Sequence, residues 1–346
     1  MKVSIIIPVY NVTDYVERCI RSVMAQSYTD IECILVDDCT PDDSIEKCER
    51  MIDKYNGPIK FKILHHEHNR GLSAARNTGT DAATGEYIFY LDSDDEIIPD
   101  CINLMMAEME RHPDTEMVSA AITSIPHNDY YDIPYYKEYH HVDGNLALRT
   151  LFFGYKCSIQ TTAWNKLVRS SFLKKYNLYF VEGILSEDEV WTFALMQHCK
   201  SLTILPERTY IHYDTVGSIM NSFNYNSRCD TLTIVLQNNV RQIERPLARL
   251  QIYRCLQHLF SAYPGVQRKS YASISRHLSW LLALNWRPIL ALQTYIYFRF
   301  GFLRNIFHNK EKFCSHIDRA YRLESKQITL HHAIKKLLTK CHATIL

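Results

Sequence analysis

The sequence predicts an α/β protein with a mainly parallel sheet flanked by helices, and three observations carry that prediction. Apolar, β-branched runs of strand length alternate with stretches of helical periodicity through the first hundred residues. The runs lack polar alternation, as strands buried on both faces do. Each run also ends in a polar cluster, where open α/β sheets hold their ligands.

In order, "VSIIIPVY" reads as a first buried strand. "NVTDYVERCIRSVMAQS" places Val16, Ile20, Val23 and Met24 on one helical stripe, with Thr13 or Asp14 available as a cap. "IECILVDD" is the second strand, followed by a capped helix in "TPDDSIEKCERMIDKY" with Ile45, Cys48, Ile52 and Tyr55 along one side. "FKILHH" is the third strand. "NRGLSAARNTGTDAATG" is then a Gly turn and a short small-residue helix capped by Ser73, and "YIFYLDSDDE" is the fourth strand. Past residue 113 the rhythm changes: "YYDIPYYKEYHH" is Tyr-rich and strand-like, and from about 225 the pattern is helical. The expected organisation is a catalytic or binding domain over 1–220 and a helical C-terminal extension over 221–346.

Composition excludes several classes. With 47% hydrophobic and 22% charged residues the chain is globular rather than disordered. Eleven cysteines without a CxxC pair argue against a disulfide framework or a zinc site. The N-terminal apolar run is broken by Pro8, too early for a signal peptide, and no run reaches the roughly 18 residues that span a bilayer. The expected location is therefore the cytoplasm. Net charge is +1, yet residues 280–346 carry +8 and the preceding residues −7. The basic tail, in "WRPILALQTYIYFRFGFLRNIFHNKEKF" and "AIKKLLTK", reads either as helices lying on the cytoplasmic face of an anionic inner membrane or as amphipathic helices packed on the core. The basic stretch lacks a nucleic-acid recognition motif and the strand-end clusters are acidic, so nucleic acid is not an expected partner.

The chemistry concentrates at the strand ends. Asp92 and Asp94, two apart, point the same way on an extended backbone, and paired hard oxygens suit Mg²⁺ or Mn²⁺ that keep positions open for substrate phosphates. The alternative is a solvated acidic turn before the helix after Pro99. A calcium loop of the EF-hand type is excluded by Ile97 and Asn103 where Gly and Glu are required. Arg76, near the start of its helix, is placed to grip a phosphate through two donors, or else to pair with the acidic cluster. Asp37 and Asp38 are placed to accept from a ribose or base, or to cap a helix. Neither GxGxxG nor GxxxxGK[ST] is present, which removes dinucleotide oxidoreductases and P-loop NTPases. A nucleotidyltransferase would need a Gly-rich, basic loop where this chain has "PVYNVTD".

Taken together, "SIIIPVYN", "ILVDDCTPDDS", "NRGLSAARNTG", "GEYIFYLDSDD" and "LSEDEVWTF" resemble, in order and spacing, the family 2 glycosyltransferases over roughly residues 1–220. The resemblance implies the GT-A fold, a mixed sheet with a nucleotide-sugar site at its rim. It also implies roles. Pro8, Val9, Tyr10 and Asn11 would line the base or ribose, with Asp38 on the base, Arg76 near the diphosphate, Asp92 and Ser93 at the ribose or metal, and Asp94 on the metal. Asp188 corresponds to the family's general base. His212 is a further expected cation ligand or phosphate contact, or else a packed strand residue. Trp164, Asn165, Lys166 and Glu187, with Tyr135 and Tyr136, are candidates for the acceptor face. One departure is Cys39, where the family usually carries Gly or a small polar residue. The implied activity is inverting transfer of a hexose or N-acetylhexosamine from a nucleotide-diphosphate sugar, most simply UDP-linked, to a glycan or lipid-linked acceptor in surface polysaccharide synthesis. The alternative is a catalytically inert sugar-nucleotide or glycan binder of the same fold.

Overall fold

A computed structural model describes residues 1–153, 159–184 and 187–215, together with Arg322. The chain divides into two compact units, residues 1–148 with 158–222 and residues 149–157 with 223–346. The elements that build the site belong to the first. The expected helical extension from 221, with its basic segments, lies outside the described residues, Arg322 excepted.

The strands are β1 (Val3–Val9), β2 (Ile31–Asp37), β3 (Lys60–His65), β4 (Tyr87–Tyr90), β5 (Glu96–Ile97), β6 (Met117–Ile125), β7 (His140–Asp143), β8 (Lys166–Arg169) and β9 (Ser201–Tyr213). Among the described residues they form one sheet in the order β3-β2-β1-β4-β8-β6-β9-β5, with β7 also paired to β9. The β3-β2-β1-β4 half is parallel, as the continuous apolar runs require, while β8 enters antiparallel to both β4 and β6. The expected mixed α/β sheet is therefore present. Register aligns the strand ends: Val9 pairs with Asp37, and Asp37 with His65. That alignment puts the loops after β1, β2 and β3 on one rim.

The helices are α1 (Val16–Met24), α2 (Ser44–Ile52), α3 (Leu72–Ala82), α4 (Cys101–Arg111), α5 (Asn145–Phe153), α6 (Ser170–Tyr176) and α7 (Glu187–His198). The α1 stripe buries Val16, Cys19, Ile20 and Val23, as its spacing dictates. Capping differs from expectation. Tyr15 precedes α1 without a side-chain cap, because Thr13 donates instead to Asp43. Gly71, at φ 88°, precedes α3, which leaves Ser73 inside the helix rather than at its cap. The Tyr-rich stretch is not a strand over most of its length. It folds as two 3₁₀ turns, Asp129–Tyr131 and Pro134–Lys137, the second begun by a proline whose fixed φ suits a helical start, and only His140–Asp143 pairs.

Helix α3 packs on β1 and β2 through a face of small residues. A Cβ added at Gly79 would meet Cγ2 of Ile6 at 2.4 Å, so helix and sheet approach closer than any side chain allows. This contact sets the height of the helix over the sheet and with it the position of Arg76. Gly79→Ala is expected to lower stability by about 1–3 kcal/mol, the usual scale of overpacking, measured by chemical denaturation.

Candidate active site

At the centre of the rim lies one guanidinium. Arg76 is 1% exposed, and its side chain reaches three carboxylates from two separate parts of the chain, the turn after β4 and the start of α7. Nη2 donates to Asp92 Oδ1 at 2.8 Å, and Nη1 donates to Glu187 Oε1 at 2.8 Å and to Asp188 Oδ1 at 2.6 Å. The ring of Phe180 lies 5.2 Å from the guanidinium carbon. Phe180 in turn stacks on Trp191 at 4.7 Å, and Tyr90 meets both rings edge-on. The aromatic group shields the ion cluster from water and strengthens its attraction.

Burial and charge act against each other here. Burial pulls the Arg76 guanidinium down, but Asp188, Asp92 and Glu187 outweigh it and hold the group above its ordinary value. Glu187 is pushed up to about 7, first by burial and then by Asp188, with Arg76 opposing. Asp92 and Asp94 are each raised, again by burial before all else, with repulsion from Asp94 and Asp95 respectively adding to it. Arg76 thus serves as counter-charge to the carboxylates rather than as an open clamp for a diphosphate. Because α3 starts at Leu72, it also sits in the second helical turn, beyond the free N–H groups of the helix end.

The "LDSDD" segment is a turn, not an extended strand end, since β4 stops at Tyr90 and Asp95 N–H returns to Asp92 C=O at 3.1 Å. Asp92 and Asp94 consequently take different partners. Asp92 faces Arg76, and Asp94 Oδ2 accepts from Thr215 Oγ1 at 2.8 Å. Asp95 is a scaffold: it accepts from Tyr210 Oη, from the Tyr213 backbone N–H and from His212 Nδ1. His212 Nε2 meets Tyr131 Oη at 3.2 Å, so both ring nitrogens are engaged and His212 does not offer a lone pair to a cation as it stands. On the remaining donors, the fit to a divalent ion is good. Two half-buried carboxylates close enough to repel each other are oxygen ligands of the kind Mg²⁺ or Mn²⁺ takes when phosphates and water complete its shell. Among the described residues no three His, Cys, Asp or Glu side chains converge into an all-protein cage.

The donor-side residues separate into surface and support. Tyr10 is 46% exposed and Asn11, at φ 55°, follows it on the rim, whereas Pro8, Val9 and Ser93 are buried. Asp38 has three partners: His66 Nδ1 and Arg70 N–H meet Oδ1, and Gly71 N–H donates to Oδ2. It holds the 66–71 loop in place. Cys39 sits at φ 57°, a conformation that explains why a glycine is usual at that position.

The proposed acceptor group is corrected by burial. Trp164, Asn165, Lys166 and Tyr136 are core residues, with Trp164 stacked on Tyr210 at 4.4 Å and Tyr136 bonded to Ser119. Glu187 points at Arg76. Tyr135 stacks on His140 at 3.8 Å. What sequence reasoning missed is the backbone of Ala163, whose N–H donates to Asp188 Oδ2 at 2.9 Å. A main-chain donor in an irregular loop leaves no residue-type signal.

Comparison with known proteins fits this geometry. A family model described as "Glycosyl transferase family 2" matches residues 4–195. EpsJ of Bacillus subtilis, described as an uncharacterized glycosyltransferase, is 31% identical over 219 residues, which are 63% of this chain and 62% of EpsJ. The chain spans about three fifths of the length of the curated relatives it matches in this way. Among solved structures, TarS of S. aureus in complex with UDP-GlcNAc superposes with TM-score 0.64 at 18% identity, covering 88% of this chain and 92% of the other. TarS is described as a poly(ribitol-phosphate) β-N-acetylglucosaminyltransferase. A mannosyltransferase of Pyrobaculum calidifontis in complex with GDP-Man and Mn²⁺ superposes with TM-score 0.53 at 15% identity, covering 95% of this chain and 87% of the other. The shared architecture is the GT-A fold.

Glu187 generates a pH dependence. Its folded-state carboxyl keeps a proton up to about pH 7, whereas an unfolded Glu loses it near 4.5, so between those values the native state binds more protons. Stability therefore falls as pH rises from about 4.5 to 7. Glu187→Gln is expected to reduce that slope, by on the order of 1–3 kcal/mol across the window, measured as the thermal midpoint against pH.

Proposed function

Because the chain belongs to the family 2 glycosyltransferases, we propose that it transfers a hexose or N-acetylhexosamine, with inversion, from a nucleotide-diphosphate sugar to a glycan or lipid-linked acceptor. The donor is UDP-linked, a choice in keeping with TarS, a protein of the same fold whose complex holds UDP-GlcNAc. The acceptor belongs to a surface polymer, and TarS, described as a poly(ribitol-phosphate) β-N-acetylglucosaminyltransferase, is a relative whose acceptor is polymeric.

The observation that carries the reading is the setting of Asp188. Its side chain is 20% exposed at the start of α7, held through one oxygen by Arg76 and through the other by Ala163 N–H. A carboxylate has about four lone-pair sites, so two remain for an acceptor hydroxyl. In the reaction, the acceptor proton passes to Asp188 while the acceptor oxygen attacks the anomeric carbon. The bond from that carbon to the diphosphate oxygen breaks on the opposite face, which inverts the centre. Glu187, pushed up to about 7 by burial and by Asp188, adds little negative charge beside Arg76 below that pH. Asp94 and Asp92 would hold Mg²⁺ or Mn²⁺, which when bound neutralises charge on the departing diphosphate. Tyr10 and Asn11 offer the exposed surface for base and ribose, and Asp38 keeps the neighbouring loop shaped to receive them.

Among the described residues no helix is long and apolar enough to cross a membrane.

Two variants test the reading. Asp188→Asn is expected to cut transfer by roughly 10²- to 10⁴-fold while UDP-sugar binding, read by thermal shift, persists. Asp94→Ala is expected to abolish Mn²⁺-dependent release of UDP from UDP-hexose. If the wild-type protein binds the donor yet releases no UDP with Mn²⁺ present, it is a sugar-nucleotide binder and not a transferase.

A further inference from the structure

In the segment "TTAWNK", residues 161–166, the last four residues are buried although two of them carry polar side chains, and this needs a reason. Lys166 has 0% exposure, yet its ammonium lies within the protein and donates to the carbonyl of Thr162, with Thr162 Oγ1 at 3.5 Å. Asn165, also fully buried, adopts φ 57° and donates through Nδ2 to the carbonyls of Ala120 at 2.7 Å and Ala121 at 3.1 Å. Those carbonyls lie where β6 slips register against β9, so Asn165 satisfies the acceptors that the irregularity frees. Thr209 Oγ1 donates to Asn165 Oδ1 at 2.7 Å. Finally, Thr192 Oγ1 donates to the Thr161 carbonyl at 2.6 Å. Burying a lysine is costly, and packing alone would be met by Met or Leu.

We propose that Lys166 is a positioning residue for the Asp188 carboxylate and acts through a single peptide plane. The Thr162 carbonyl that accepts from Lys166 and the Ala163 N–H that donates to Asp188 belong to the same peptide bond. That unit is planar and trans, so fixing the oxygen on one side fixes the direction of the N–H on the other. The ammonium also polarises the peptide and strengthens its N–H as a donor. Thr192 adds a second anchor: it lies four residues after Asp188 on α7, one turn along the same face, so the helix that carries the carboxylate also grips the loop that aims it. The charge on Lys166 thereby reaches the base without touching the substrate.

This inference rests on Asp188 being the base, and the experiment separates the two. Lys166→Met is expected to lower kcat by roughly 10- to 100-fold, the scale of a small misplacement of a catalytic group, with donor Kd and acceptor KM within about two-fold of wild type. Thr192→Val should move kcat in the same direction, and Thr192→Ser, which keeps the hydroxyl, should restore it. If Lys166→Met does not fold, the Thr192→Val and Thr192→Ser pair decides the matter through the same split between kcat and KM. A folded Lys166→Met or Thr192→Val enzyme with wild-type kcat, beside an inactive Asp188→Asn, overturns the positioning role and leaves the base assignment standing. Equal losses in Thr192→Val and Thr192→Ser overturn it as well. Full transfer by Asp188→Asn removes the base itself, and the inference with it.

Discussion

One buried guanidinium facing three carboxylates is the constraint on which the rest of this site depends. Arg76 ties together α3, the turn after β4 and the first turn of α7. A lysine could not replace it, because a single ammonium lacks the planar fork that serves several carboxylates at once. Removing one partner of such a cluster leaves uncompensated charge in a dry setting, which typically costs about 3–5 kcal/mol. The packing above answers to this need: Phe180, Trp191 and Tyr90 close over the cluster, and Gly79 lets α3 come down onto Ile6 so that Arg76 can reach.

The acidic residues of the rim divide into two kinds. Asp38 and Asp95 are buried and each takes three partners from loops and strand ends, so they shape the rim. Asp92, Asp94 and Asp188 keep accepting capacity, and all lie at the edge of the Arg76 cluster or beside it. Local charge is therefore not a measure of function here. What separates the two kinds is how many donors the surrounding backbone already supplies.

The same distinction explains the "TTAWNK" segment. Aromatic, amide and ammonium groups side by side look like a sugar-binding face. In the folded chain they point inward, where an irregular pairing between β6 and β9 and an unsupported loop need donors. Buried polar groups persist when each is satisfied, and here the network ends on Asp188, a carboxylate that is still 20% exposed.

Apolar runs of strand length and stripes at helical spacing were enough to place β1 to β4 and α1 to α3 and to put the polar clusters on one rim, because those patterns report local burial. The ordered motifs also singled out Arg76, Asp92, Asp94 and Asp188, of which the fold brings Asp92 and Asp188 into contact with Arg76. Periodicity could not tell that the tyrosines after residue 129 form 3₁₀ turns, since their pairing depends on β9, about seventy residues later. Nor could it show that Asp38 is an anchor, that His212 is engaged at both nitrogens, or that Trp164 and Lys166 are core. Arg76 and Asp188 are 112 positions apart, and the N–H that aims Asp188 comes from a third segment. The sequence by itself determined which chemical groups reach the ends of the strands. Only the tertiary structure decided which of them face each other, because the partner that uses up or frees a carboxylate is brought to it by the folding of distant chain, and no local pattern carries that information.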